Sequence, residues 1–288
     1  DIGDRLEVTN CTFAGNRAYD GGGVYNYYSA RTTSYNSVFV RGSQGGNCYN
    51  KSGASVVGST NRADDGTCGS SFTNSSTIRL GSLGAYGGHQ ATVPLTPGSS
   101  ALDAGSATYC PELDQRGMAR VGTCDIGAFE AQGFTFAYTG GDYQTTPVSM
   151  AFANPLQLTL SETGGVGLGG ATITFTGPSS DPDPVARTDP ATFPATTDAS
   201  GTTQVTAKAN SVAGGWYDVL ASTADGQSVT FHLTNTGITL SLTGGDNQTT
   251  PVAHPFANPL EVTVIGASGA PVQGTVVTFT APASGPSL

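Results

Sequence analysis

Apolar and polar residues alternate one for one through much of this chain, and no stretch of ten or more residues carries apolar residues at helical spacing. Leu156-Gln157-Leu158-Thr159-Leu160, Ile173-Thr174-Phe175, Val205-Thr206-Ala207 and Val229-Thr230-Phe231-His232-Leu233 each predict a strand with one buried face. In Trp216-Tyr217-Asp218-Val219-Leu220-Ala221, one face carries Tyr217, Val219 and Ala221, and the other Trp216, Asp218 and Leu220. Asp218 marks the second face as outward, which leaves Trp216 and Leu220 as exposed apolar groups and candidate contact residues. Turn strings such as Asp198-Ala199-Ser200-Gly201 and Ala224-Asp225-Gly226 separate the strands. The expected class is all-β with almost no helix.

The first 81 residues show a different rhythm. Val8-Thr9-Asn10-Cys11-Thr12-Phe13 matches Ser34-Tyr35-Asn36-Ser37-Val38-Phe39 at a spacing of 26, and Gly23-Val24-Tyr25-Asn26 matches Asn47-Cys48-Tyr49-Asn50 at 24. Short strands with Gly and Asn at the corners, repeated at such a period, predict a right-handed parallel β-helix whose rungs bury one another. Gly21-Gly22-Gly23 reads as a corner. Further rungs are expected through Ala54-Ser55-Val56-Val57 and Thr77-Ile78-Arg79-Leu80.

A second, longer repeat covers the C-terminal half. Residues 134–184 and 238–288 align without a gap at an offset of 104, with 24 identities in 51 positions. Thr139-Gly140-Gly141-Asp142 recurs as Thr243-Gly244-Gly245-Asp246, and Phe152-Ala153-Asn154-Pro155-Leu156 as Phe256-Ala257-Asn258-Pro259-Leu260. The first copy runs on to Gly237, and the second is expected to be half a domain of about three strands, including 260–264 and 276–280. Its apolar positions Leu260, Val262, Val264, Val277 and Phe279 would then face solvent or a partner. Two explanations stand: a chain cut from a longer one, which is favoured, or completion by strands of another subunit, as in donor-strand fibres.

Composition narrows the function classes. Gly is 41 and Pro 16 of 288 residues, and charged residues are 11 %, against roughly a quarter in an average domain, which suits short strands joined by turns. A net charge of −10 makes nucleic acid a poor partner. No apolar run approaches the length of a transmembrane helix. The five cysteines fit no zinc pattern. Cys48 with Cys68, and Cys110 with Cys124, bracket loops that two disulfides would close, which implies an oxidising, secreted or cell-surface setting. Cys11 is left over and reads as a small buried hydrophobe.

Residues 82–133 carry Leu95-Thr96-Pro97-Gly98-Ser99-Ser100-Ala101-Leu102-Asp103-Ala104-Gly105, Asp114-Gln115-Arg116-Gly117 and Cys124-Asp125-Ile126-Gly127-Ala128-Phe129-Glu130. This wording resembles the choice-of-anchor Q domain that closes bacterial surface β-helix proteins, and the resemblance implies a cap and surface display. The run from Asp142 to Thr176, with Asp198-Ala199-Ser200-Gly201 and Phe231-His232-Leu233-Thr234-Asn235-Thr236, is similar to bacterial Ig-like domains of invasin-type surface proteins. That resemblance implies stalk or adhesin modules without catalytic residues. The expected organisation is 1–81 β-helix, 82–133 cap, 134–237 Ig-like sandwich and 238–288 the first half of a second sandwich.

Candidate chemistry is sparse. Asp103, Asp114, Asp125 and Glu130 lie near Arg116 and Arg120, and paired carboxylates hydrolyse glycosides. The strings Asp-Ala-Gly and Asp-Gln-Arg-Gly are turn formers, so Asp–Arg pairs holding a compact cover are favoured over catalysis. The acids of the first 81 residues, Asp1, Asp4, Glu7, Asp20, Asp64 and Asp65, lack the every-other-residue spacing of a strand-borne calcium site. Asp142 and Asp246 close Gly-Gly-Asp turns near domain junctions and are weak calcium candidates, since one carboxylate per turn falls short of six to eight oxygens. His89, His232 and His254 form no triad pattern, and His232 sits at a polar position of its strand. The expectation is a non-enzymatic extracellular stalk or fibre subunit that self-associates. An adhesin for glycans or cell surfaces and a polysaccharide-acting enzyme are the alternatives.

Overall fold

The structure is a computed structural model that describes residues 5–178, 188 and 192–283. Asp1 and Asp4 lie outside the described residues. Residues 5–74 form nine short strands: β1 (Arg5–Thr9), β2 (Thr12–Ala14), β3 (Val24–Asn26), β4 (Arg31–Tyr35), β5 (Val38–Val40), β6 (Cys48–Asn50), β7 (Ser55–Ser59), β8 (Asn61–Ala63) and β9 (Phe72–Asn74). Their ladders are parallel and run in three sets, β1-β4-β7, β2-β5-β8-β9 and β3-β6. Val8 pairs with Ser34 and Phe13 with Phe39, a step of 26, while Val24 pairs with Cys48, a step of 24.

Parallel register sets like upon like. Phe13 and Phe39 stack at 4.4 Å and Phe39 meets Phe72 edge-on, inside one buried cluster with Val24, Cys48 and Val56. Asn26 Nδ2 donates to Asn50 Oδ1 at 2.8 Å. The chain turns between strands at Asn10 and Asn36, whose φ values of 48° and 46° suit asparagine better than most residues. Gly23 faces the Phe39 ring so closely that a Cβ there would meet Cδ1 at 2.7 Å, so a side chain would force the stack apart.

Thr77-Ile78-Arg79-Leu80 does not add a rung. Leu80 bridges antiparallel to Leu95, and the carbonyls of Thr77 and Arg79 accept N–H bonds from Ser100 and Thr96. The following segment folds back over these residues and offers nearer partners. It also buries Leu95, Ala101 and Ile126 against Val38 of the stack. Residues 82–133 are otherwise turns, and two three-residue 3-10 turns, Gly69–Ser71 and Ala107–Tyr109, are the helical content among the described residues.

Residues 134–237 hold β10 (Phe134–Gly140), β11 (Gln144–Pro147), β12 (Leu156–Glu162), β13 (Thr172–Thr176), β14 (Thr192–Thr196), β15 (Thr202–Val205), β16 (Trp216–Ser222) and β17 (Ser228–Thr236). They form two sheets, β10-β12-β15 and β11-β17-β16-β13-β14. Leu156, Leu158 and Leu160 of the first meet Ile173, Phe175, Val219, Phe231 and Leu233 of the second in one buried cluster. Pro194 sits in β14, at a sheet edge where its missing N–H breaks no ladder between strands.

The second copy supplies β18 (Ile238–Gly244) and β19 (Glu261–Gly266), an antiparallel pair. Both copies bulge at the same place, between Tyr138 and Gly140 and between Leu242 and Gly244. The expected strand over 276–280 is not formed, although its counterpart β13 is. β13 is held between β14 and β16, and among the described residues nothing occupies those positions beside the second copy.

Candidate functional site

The acids and arginines of 82–133 make a joint rather than an open site. Arg116 is wholly buried and uses all five of its N–H donors. Nε donates to Asp114 Oδ2 at 2.8 Å, Nη1 to Glu162 Oε2 at 2.6 Å and to the Tyr86 carbonyl at 3.2 Å, and Nη2 to the Glu130 carbonyl and to Glu162 Oε1 at 3.3 Å. Its guanidinium lies 3.7 Å over the Phe129 ring. A lysine, with three donors and no plane, could not replace it. Glu162 closes β12 and belongs to the two-sheet unit, so the pair spans the boundary between segments. Glu162 Oε1 also accepts the Gln132 N–H at 2.9 Å, which ties down the short linker. Tyr86 and Phe129 share one hydrophobic cluster with the core of the two sheets.

Arg120 pairs with Glu130 at 2.7 Å, and Glu130 Oε2 also accepts the Asp125 N–H at 2.8 Å. Asp125 accepts the N–H groups of Asp103 and Ala131, each at 2.7 Å. Burial nevertheless pushes the Asp125 carboxyl up to about 7, and the charges of Glu130 and Asp103 add to the effect. The buried set already opposes two guanidiniums to Asp114, Glu130 and Glu162, so a fourth buried negative charge is resisted. These acids are saturated with backbone and guanidinium donors, and Asp114, Asp125, Glu130 and Glu162 are buried. Asp103 is exposed at φ 48°, in a turn.

A second constellation lies on the outer face of the five-stranded sheet. Register places Thr145, Thr234 and Trp216 in one row across β11, β17 and β16. The next row holds Tyr143, His232 and Asp218, with Asp218 opposite His232. Tyr143 stacks on His232 at 4.7 Å and 8°, and Trp216 leans toward His232 at 5.8 Å and 56°. Tyr143 is 77 % exposed and Trp216 70 %. Tyr143, Thr145, Trp216, His232 and Thr234 line a cleft of about 530 Å³. Asp142 Oδ1 accepts the Tyr143 N–H at 2.9 Å, the His232 N–H at 2.6 Å and faces His232 Nδ1 at 3.1 Å. An ionised carboxylate only accepts, so Nδ1 carries the proton, and Nε2 faces Asp218 at 3.8 Å.

The calcium candidates are therefore engaged. Asp142 holds His232, and Asp246 binds the N–H and Nδ2 of Asn247, each at 2.8 Å. Among the described residues, no group of three His, Cys, Asp or Glu side chains is placed to hold a metal ion. Cys48–Cys68 and Cys110–Cys124 are disulfides, which fits an oxidising, extracellular setting. Cys11 is free and half-buried, and burial raises its thiol pKa. Leu220 is 41 % exposed on the same face as Trp216. In the second copy Leu260 and Phe279 are exposed, Val262 and Val277 half-buried and Val264 buried. Among the described residues no helix is long and apolar enough to cross a membrane.

Sequence reasoning missed Glu162, Tyr143 and the convergence on His232. A signal existed for the first two. Glu162 falls in phase with Leu156, Leu158 and Leu160, so its charge points inward and needs a partner. Tyr143 stands where the second copy has Asn247.

No protein-family model matches this chain, and no curated protein matches it. Among solved structures, part of the chain is similar to invasin, a bacterial integrin-binding protein, at 19 % identity and a TM-score of 0.32 over 49 % of this chain. Another is the native conformation of E. coli alpha-2-macroglobulin, at 20 % identity and a TM-score of 0.29 over 49 % of this chain. The chain spans 28 % of the invasin chain and 8 % of the macroglobulin. Likenesses this shallow carry no functional weight.

Proposed function

We propose that this chain is a section of a secreted bacterial surface stalk or fibre and has no catalytic role. In this reading residues 5–74 are rungs of a right-handed parallel β-helix, 82–133 a choice-of-anchor Q-like cap, 134–237 an Ig-like sandwich and 238–283 the beginning of another. The observation that carries it is the buried Arg116 joint. A flexible tether between modules would need no five-donor guanidinium sealed in a shared core. Such a joint fixes one module on the next and transmits force between them. Saturation of the cap acids by structural donors supports the absence of catalysis, and no metal is needed. The exposed apolar face of the second copy is the surface on which an array would grow by self-association.

The test is unfolding of the full chain in urea, followed by hydrogen exchange in both segments. Residues 82–133 and 134–237 should lose protection together. Arg116→Met, which strands Asp114 and Glu162, should lower stability by roughly 3–5 kcal/mol and separate the two transitions. Independent unfolding of the two segments in the parent chain overturns the stiff rod. Depolymerisation of a uronate-rich polysaccharide by the parent overturns the non-enzymatic reading. A second reading, an adhesin, is favoured by the aromatic cleft.

A further inference from the structure

We infer that the cleft between Trp216 and the Tyr143–His232 pair binds a neutral sugar ring. The inference stands apart from the joint and does not depend on it. Four features of the cleft carry it.

The first is shape. The exposed indole of Trp216 stands at 56° to the half-buried imidazole of His232, on which the exposed Tyr143 stacks, and the hydroxyl-bearing Thr145 and Thr234 complete the lining of an open V. A pyranose has one flat face of C–H groups and a rim of hydroxyls. The face lies on an aromatic ring, and the rim needs acceptors and donors at fixed places. Asp218, whose side chain is 56 % exposed, supplies an acceptor, and His232 Nε2 stands beside it. A volume of about 530 Å³ suits one or two sugar rings.

The second is charge. Among the described residues no lysine or arginine lines the cleft, and the carboxylates of Asp142 and Asp218 face the ring nitrogens of His232 in its lining. Uronates and sulfated sugars are therefore repelled, while the hydroxyl donors of a neutral sugar are complementary to a carboxylate. A cationic ligand is the competing class. It would seek rings facing a common point, but here the imidazole already covers one face of Tyr143. Asp142 is also committed to His232.

The third is backbone cost. Tyr143 has φ 53°, in the left-handed region that asparagine tolerates and tyrosine does not favour. The second copy makes the same turn with Asn247 at φ 57°. The fold thus has a better residue for this place and uses it in the other copy. Residues held in costly conformations gather at ligand sites.

The fourth is support. Asp142 fixes both the backbone and the imidazole of His232, so the floor of the cleft is set before a ligand arrives. Binding of one ring by so open a surface is weak, and repetition of modules in an array would raise avidity.

Trp216 is the only tryptophan of the chain, so its fluorescence reports this cleft alone. The full 288-residue chain is titrated with the methyl glycosides of glucose, galactose, mannose and N-acetylglucosamine, and in parallel with methyl glucuronide and tetramethylammonium. At least one neutral glycoside should give a saturable change with a dissociation constant of about 1 mM or tighter. The uronide should give none. Tyr143→Asn, a residue the same turn already accommodates, should keep the melting temperature and weaken binding at least tenfold. Asp218→Asn should weaken it severalfold. Absence of saturation with every neutral glycoside overturns the proposal. So does a response to tetramethylammonium alone, or unchanged affinity in Tyr143→Asn.

Discussion

The two copies of the 104-residue repeat fold alike locally and end in different surroundings. Gln144 Nε2 donates to the Gly141 and Asn154 carbonyls, and Gln144 Oε1 accepts the Asn154 N–H. Gln248 makes the same clasp with Gly245 and Asn258. Gly141 and Gly245 both have φ near +80°, and a Cβ on either would meet a proline carbonyl at 2.1 Å. The turn closing β12 joins Gly165 N–H to the Glu162 carbonyl at 2.9 Å, and Gly269 N–H meets the Gly266 carbonyl at the same distance. What differs is cover. Leu156, Ile173 and Phe175 are wholly buried, while Leu260 and Phe279 are 42 % and 52 % exposed. Hydrogen bonds between near neighbours build the turn, the bulge and the hairpin in either setting. Burial of the apolar face is a separate event that needs a second sheet.

The copies also differ where they meet other segments. Glu162 reaches Arg116, and its counterpart is Gly266, which has no side chain to reach with. Tyr143 enters the cleft beneath Trp216, and its counterpart is Asn247. The repeat therefore conserves what makes the module and varies what connects it.

The sharpest break between the copies is in their phenylalanines. Phe175→Ala should cost roughly 3–5 kcal/mol in urea unfolding of the chain, because it opens a cavity in the shared core. Phe279→Ala should change stability by about 0.5 kcal/mol or less. Equal effects would mean that the second copy is covered in solution.

A smaller effect separates the copies by pH. The folded Asp125 carboxyl titrates at about 7, against an ordinary value of 3.8. The folded state holds the extra proton between these values, so stability is greatest below the ordinary value and falls as pH rises toward 7. The slope is at most roughly 1.4 kcal/mol per pH unit. A Tm series from pH 4 to 8 should show the decline, and Asp125→Asn should flatten it. Hydrogen exchange of the second copy, which makes no contact with Asp125, should follow pH without this transition. A Tm that rises over the same range contradicts the assignment.

The smallest effect is an exchange of residues between the turns. Tyr143→Asn should leave stability unchanged or raise it by about 1 kcal/mol, and Asn247→Tyr should lower the stability of its turn by a similar amount. A loss of stability in Tyr143→Asn would show that the aromatic stack on His232 outweighs the backbone cost.

Much of this molecule was legible in its residues because the interactions concerned are short in range or periodic. Alternation placed β12, β13, β16 and β17, and put Trp216 and Leu220 outward. The matches at 24 and 26 residues matched the parallel register of the first strands. Loop-bracketing cysteines paired as Cys48–Cys68 and Cys110–Cys124. The tertiary structure alone decided which charges meet across a boundary and which aromatics meet across a sheet. Arg116 and Glu162 are 46 residues apart, and Asp142 and His232 are 90. Nothing in the local pattern around either member names the other. It also decided that Thr77–Leu80 turns to the segment around Leu95 and Ser100 and that 276–280 stays unpaired, since a strand exists only where a neighbour accepts its hydrogen bonds.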